Sequence, residues 1–222
     1  VARDRLRTAR AVHDLLGDLD PHAHPAAVEA LHSVQVALSA IDRLEVRGRD
    51  SAGLQLSVHG HDLDLADPEV RDRLAPRTAD RLFRNGAVRA ADGALAFVYK
   101  AAAEIGELGD NVAALRSAIR EDPLLHRALA APGARCAVLG HTRWASVGII
   151  SEANAHPLNH EELEVDGAYV AAALNGDVDN FVELVERREH REAPDELGNE
   201  PVLEQVFRLN LFKQLADGLV AP

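Results

Sequence analysis

The chain has 222 residues, with 36 acidic against 24 basic side chains for a formal charge of -12. That balance argues against a nucleic-acid binder, which needs a basic face, and against docking on an anionic membrane surface. With 47% hydrophobic residues but only 4% aromatics, the chain is globular and its core must be built mainly from Ala, Val and Leu. A lone cysteine, Cys136, excludes an internal disulfide and a cysteine-based metal cage. No apolar run approaches membrane-spanning length, and the charged start, Val1 to Arg10, does not read as a signal peptide, so a reducing, cytoplasmic setting is expected. The chain contains no methionine, so Val1 is not expected to be a translational start, and the sequence reads as a piece of a longer protein.

In chain order, residues 3–19 read as a helix, with Leu6, Ala9, Val12, Leu15 and Leu16 on one face. Asp20-Pro21-His22-Ala23-His24-Pro25 breaks it, and Pro25 opens a longer helix carrying Val28, Leu31, Val34, Leu38, Ile41 and Leu44 at helical spacing. The two make a candidate hairpin over residues 1–45. His22 and His24 suggest a metal pair, but without a third ligand at a useful spacing a solvated turn is the better reading. Leu54, Leu56 and Val58 alternate, predicting a strand over 53–59. Residues 67–84 look helical but broken by Pro76, and Val88 to Tyr99 reads as two strands joined at Asp92-Gly93. A helix is predicted over 110–130, with Val112, Leu115, Ile119 and Leu125 inward. Cys136–Gly140 reads as a buried strand and Tyr169–Leu174 as another, followed by amphipathic helices near 178–190 and 201–216. Strands and helices mix irregularly, so the expected class is α+β, and neither a GxGxxG nor a phosphate loop is present.

Three short segments carry chemistry. Arg47-Gly48-Arg49-Asp50-Ser51-Ala52-Gly53 joins a helix to a strand. It is either a charged turn or a place where backbone approaches a ligand beside a fixed cation. His141-Thr142-Arg143-Trp144-Ala145-Ser146 holds the single tryptophan. Arg143 there can clamp a carboxylate and Trp144 can wall a pocket; the alternative is a buried structural Trp beside an ion-paired Arg. Asn175-Gly176 closes a strand and is either an oxyanion hole or a tight turn; Asn85-Gly86 is taken as a turn.

Taken together, an RGxDSAG segment (Arg47–Gly53), HTRWA (His141–Ala145), NAHP (Asn154–Pro157) and an Asn-Gly pair with Asn180 nearby resemble class II, N-terminal-nucleophile glutamine amidotransferase domains. The HTRWA form, with Trp, is most similar to the glucosamine-6-phosphate synthase branch, and the resemblance spans residues 40–185. It implies a four-layer αββα sandwich of antiparallel sheets over residues 46–222, with the first strand absent and the helical hairpin as an insertion. It implies release of ammonia from glutamine by an N-terminal cysteine, with no cofactor. The ammonia would pass to fructose 6-phosphate on downstream sugar-phosphate isomerase domains. Glutamine is the implied ligand, and self-association is left open.

By resemblance, Arg143 holds the glutamine α-carboxylate and Trp144 lines the pocket. Ser146 replaces the usual Thr and keeps its hydroxyl. Asn175 and Gly176 form the oxyanion hole, and Arg47 and Gly48 lead into the strand beside the nucleophile. The chain also departs from the pattern. No Cys-Gly opens it, and Cys136, read as a core residue, cannot be the N-terminal nucleophile, so the cysteine is expected upstream of Val1 and these residues alone are expected not to hydrolyse glutamine. Val147 and Leu174 stand where His is usual. The acidic segment that meets the glutamine ammonium aligns with Gly198-Asn199-Glu200 and lacks its Asp, for which Glu200 or Asp195 are substitutes.

Overall fold

The computed structural model describes residues 2–102, 107–145, 149–159 and 169–174. Helices α1 (Ala2–Leu16) and α2 (Pro25–Leu44) pack against each other. α1 stops at Leu16, short of the expected residue 19, because Gly17 takes a left-handed conformation (φ 56°) and ends the helix. Asp20 then organises the link, its carboxylate accepting from the His22 N–H and its carbonyl from the Ala23 and His24 N–H groups. The His22–His24 segment is thus a turn. Pro25 opens α2, where its missing N–H costs nothing.

A single 3-10 turn, Glu45–Arg47, leads from α2 towards β1 (Ser51–His59). The main sheet runs β2 (Val88–Ala91), β3 (Ala94–Ala102), β1, β4 (Arg135–Arg143), with every neighbouring pair antiparallel. Asp92 and Gly93 (φ 52° and 72°) make the two-residue hairpin that the sequence predicts between β2 and β3. Helix α3 (Pro68–Thr78) is capped by Asp67, contains Pro76 and ends short of the expected residue 84. The chain beyond it is folded instead around Asp80, which accepts from the Leu82 and Arg84 N–H groups.

The helix expected over 110–130 is two helices, α4 (Asp110–Arg120) and α5 (Pro123–Leu129). Pro123 cannot continue α4, and Asp122 caps α5 by accepting from the Leu124 and Leu125 N–H groups. The same carboxylate takes both arms of Arg77 (2.9 and 2.5 Å) and the Tyr99 hydroxyl (2.7 Å). One buried anion therefore fastens α3, β3 and α5 together.

The strands depart from expectation in two places. The buried strand predicted over Cys136–Gly140 is the longer β4 and, among the described residues, an edge strand paired only with β1. Cys136 is accordingly half-buried, packed against the rim of the core rather than within it. The strand predicted over Tyr169–Leu174 reduces to β6 (Ala171–Ala172), paired antiparallel with β5 (Leu158–Asn159) in a second, small sheet. The predicted helices near 178–190 and 201–216 lie outside the described residues. The architecture is α+β.

Strand alternation divides the main sheet into unlike faces. One carries Ala52, Leu54, Leu56, Val58, Leu95, Phe97, Tyr99 and Ala101, all buried against α1, α2, α4 and α5. Leu31, Val34, Leu38 and Ile41 of α2 are buried in this contact, whereas Leu44 of α2 and Leu6 of α1, expected on the same apolar faces, are exposed. The other face carries Ser51, Gly53, Gln55, Lys100, His141 and Arg143, and Tyr169, two residues before β6, reaches it by donating to Gln55 Oε1 (3.0 Å).

Candidate functional site on the polar face of the sheet

The β1–β4 ladder sets Ser51 opposite Arg143, Ala52 opposite Thr142 and Gly53 opposite His141. It thereby lays Arg47–Gly53 alongside His141–Ala145, segments far apart in the chain. The contact is locked by Asp50, whose N–H donates to the Arg143 carbonyl (3.2 Å) and whose carboxylate accepts from the Ala145 N–H (2.7 Å). Gly48 eases this approach: a Cβ there would lie 3.0 Å from Thr142 Oγ1 and 3.2 Å from the Arg143 carbonyl carbon, tighter than ordinary contact. Helix α4 holds the turn from the other side. Asn111 donates to the Arg49 carbonyl (2.7 Å), and the buried Glu45 accepts from the Gly109 N–H at the start of α4 (2.6 Å).

The Asn154–Pro157 segment crosses directly above β1. A Cβ at Gly53 would overlap the His156 carbonyl oxygen and touch the Lys100 side chain (3.3 Å), so only glycine fits. Asn154 Nδ2 and Arg143 Nη1 both donate to the Ile149 carbonyl (3.1 and 3.3 Å), tying the loop to the end of β4. His156 and His141 meet edge to face, ring centres 4.5 Å apart and Nδ1 to Nδ1 3.3 Å. The pKa of His141 is lowered, chiefly by burial; the Leu174 backbone nearby opposes that and the Arg143 charge adds to it. Lys100 is buried with its ammonium over the Phe83 ring (4.9 Å). Asn159, on the small sheet, is fully buried, and its amide has no hydrogen-bond partner among the described residues.

Of the residues expected to form the site, Gly48 is buried at the β1–β4 junction and Arg143 is half-buried on the polar face. Arg47 is exposed on the 3-10 turn. Trp144 follows the last paired residue of β4 and is 71% exposed, so the alternative of a buried structural tryptophan does not hold. Ser146, Val147, Asn175, Gly176, Asn180 and the 195–200 segment lie outside the described residues. The structure adds Asp50, Gly53, Lys100 and His141 with His156 as residues that assemble the motifs. All but Lys100 sit inside the sequence motifs. Their tasks depend on cross-strand register, which spacing does not reveal. Lys100 carries no signal beyond being a charge inside an apolar strand.

Cys136 stands apart from this cluster. It lies seven residues from Arg143 along β4, about 23 Å at strand rise, and its side chain points to the helix-covered face. Burial pushes its thiol up to about 12, which suppresses the thiolate. Among the described residues no group of His, Cys, Asp and Glu side chains is arranged to hold a metal ion, and no helix is long and apolar enough to cross a membrane.

The site thus belongs to an α+β protein whose antiparallel sheet joins RGxDSAG, HTRW and NAHP segments on one polar face. Sequence comparison is more specific. Over 152 residues the chain is 30% identical to the glutamine–fructose-6-phosphate aminotransferase (isomerizing) of Corynebacterium diphtheriae, covering 68% of this chain and 16% of that protein. The same enzyme of Corynebacterium efficiens is 30% identical over 153 residues, 69% of the chain and 16% of the relative. That of Fusobacterium nucleatum is 36% identical over 83 residues, 37% of the chain and 12% of the relative. No family model matches, and no solved structure matches. The chain is a relative of the glutamine–fructose-6-phosphate aminotransferases and spans about 16% of the length of the two Corynebacterium enzymes.

Proposed function

We propose that this chain is the glutaminase part of a glutamine-dependent aminotransferase, releasing ammonia that is passed to fructose 6-phosphate on downstream sugar-phosphate isomerase domains to make glucosamine 6-phosphate. The observation that carries the reading is the β1–β4 register, which brings Gly48 and Asp50 against Arg143 and seats His156 on Gly53. In this reading the main and small sheets belong to a four-layer αββα sandwich over 46–222, and residues 1–45 are an insertion packed on its outer face. Arg143 takes the glutamine α-carboxylate in a two-bond clamp, and Trp144 and Ser146 line the pocket. Asn175 and Gly176 stabilise the oxyanion, and Arg47 and Gly48 support the nucleophile strand. The nucleophile is a cysteine outside these residues, in a cytoplasmic enzyme. The 222 residues alone are inactive, since Cys136 faces away from Arg143 with a raised pKa.

The protein expressed from its complete reading frame, given glutamine and fructose 6-phosphate, is expected to release glutamate and amino sugar. Neither product from a folded sample ends the proposal. A second reading, a domain that binds glutamine without hydrolysing it, is favoured by Leu174 and Val147 at positions where the family has His. Calorimetric binding of glutamine without glutamate release identifies it.

A further inference from the structure

Asn111, in the first turn of α4, is 3% exposed. Its side chain makes one hydrogen bond among the described residues, from Nδ2 to the Arg49 carbonyl (2.7 Å), while Oδ1 is buried without a donor. The Arg49 carbonyl and the Asp50 N–H belong to one peptide group, so they point in opposite directions from a single plane. The Asp50 N–H donates to the Arg143 carbonyl (3.2 Å). One peptide plane is therefore held at both ends, by a helix on one side and by the end of β4 on the other. The Asp50 carboxylate also takes the Ala145 N–H (2.7 Å), so Asp50 grips the chain on both sides of Trp144. We propose that Asn111 is a positioning residue: by fixing the Arg49–Asp50 peptide it sets where the Arg143 backbone lies, and with it the root of the guanidinium arm. The consequence for glutamine rests on the glutaminase reading; the coupling of α4 to the end of β4 does not.

The base from which Asn111 acts is fixed. Leu115 and Ile119, one and two turns further along α4, are fully buried in the helix-side core. The same end of α4 also holds the flank before Gly48: the buried Glu45 carboxylate accepts from the Gly109 N–H (2.6 Å), and the Glu45 carbonyl accepts from the Gly48 N–H (3.2 Å). On the far side, ladder pairing begins at Ser51, opposite Arg143. The Arg49–Asp50 peptide lies between these two anchors and outside the ladder, so its orientation depends on its own hydrogen bonds. The run from the Asn111 N–H through the peptide to the Arg143 carbonyl polarises along its length, so loss of the first bond weakens the last.

In the protein from its complete reading frame, Asn111→Leu is expected to speed amide hydrogen exchange at Asp50 and Ala145 about tenfold or more, while the Leu56 amide in the middle of β1 keeps its wild-type rate. Unchanged exchange at Asp50 and Ala145 in a folded Asn111→Leu protein overturns the coupling. Calorimetric titration of L-glutamate, the expected product, is expected to show affinity weakened about fivefold or more by Asn111→Leu. Leu115→Ala, which loosens the same helix without touching the peptide, is expected to leave affinity unchanged while the protein is folded. In an Arg143→Ala background, Asn111→Leu is expected to change affinity less than about twofold, because its effect passes through Arg143. Wild-type affinity in folded Asn111→Leu, an equal loss in Leu115→Ala, or a loss that persists in the Arg143→Ala background overturns the positioning role. Should Asn111→Leu fail to fold, Asn111→Asp, of the same shape but without the N–H donor, takes its place with the same expectations. A folded wild type that binds no glutamate sinks the glutaminase reading instead and leaves hydrogen exchange to decide the coupling.

Discussion

The two faces of the main sheet are built from the same strands and obey opposite rules. On the helix side, β1, β3 and β4 present mainly apolar side chains to helices, and Asp122 there pairs with Arg77 and Tyr99. On the far side the same strands present Ser51, Gly53, Gln55, Lys100, His141 and Arg143, with buried polar groups spread across the surface. Buried polar groups cost stability unless paired. The first face makes the domain stand, and the second holds the motifs in register.

Substitutions on either side sharpen the contrast. The largest loss is expected from Asp122→Ala, which strips a helix cap and leaves the half-buried Arg77 guanidinium and the buried Tyr99 hydroxyl without their acceptor. Denaturant titration should show a loss of about 3–5 kcal/mol. Leu56→Ala, at 0% exposure in the helix-side core, should cost about 2–5 kcal/mol by the same measurement. Gly53→Ala forces a methyl onto the His156 carbonyl, and about 1–3 kcal/mol is expected from overpacking. On the glutaminase reading it should, unlike Leu56→Ala, also reduce glutamate release by the protein from its complete reading frame at temperatures where both variants remain folded.

Acid should act on both faces through neutral histidines. His126, which bonds the Leu15 carbonyl and so joins α5 to α1, and His141 on the polar face both have pKa values lowered, in each case mainly by burial. A lowered folded pKa means that the unfolded chain binds the proton first, so stability rises with pH across that window. Thermal melts are expected to drop as pH falls below the ordinary histidine value of 6.5, and His126→Gln should flatten that drop. The smallest effect, within about 0.5 kcal/mol, is expected from Leu139→Ala at the solvent rim of the polar face.

What the sequence made legible follows the same division. Periodicity located α1, α2, β1 and the Asp92-Gly93 hairpin because those elements bury one regular stripe or use one turn chemistry. It merged α4 with α5, since apolar spacing runs through Asp122-Pro123, where the proline and the Asp122 cap break the helix. It took β4 for an interior strand because Cys136–Gly140 is apolar in composition, whereas burial depends on what lies beside it. At the site, motif order identified the segments that meet. It did not assign work to Gly53, Asp50 or His141, because those tasks are contacts across strands rather than properties of the residues in sequence. Trp144, marked by its rarity in the chain, is largely exposed.

The central claim is that the polar face is a glutamine site whose carboxylate is held by Arg143. It is tested most directly by calorimetric titration of L-glutamate, the expected product, into the protein from its complete reading frame, comparing the wild type with Arg143→Ala and Leu139→Ala. Saturable binding that Leu139→Ala leaves intact and Arg143→Ala weakens by about tenfold or more is predicted. Equal affinity in the wild type and Arg143→Ala, or no binding by the folded wild type, would contradict it.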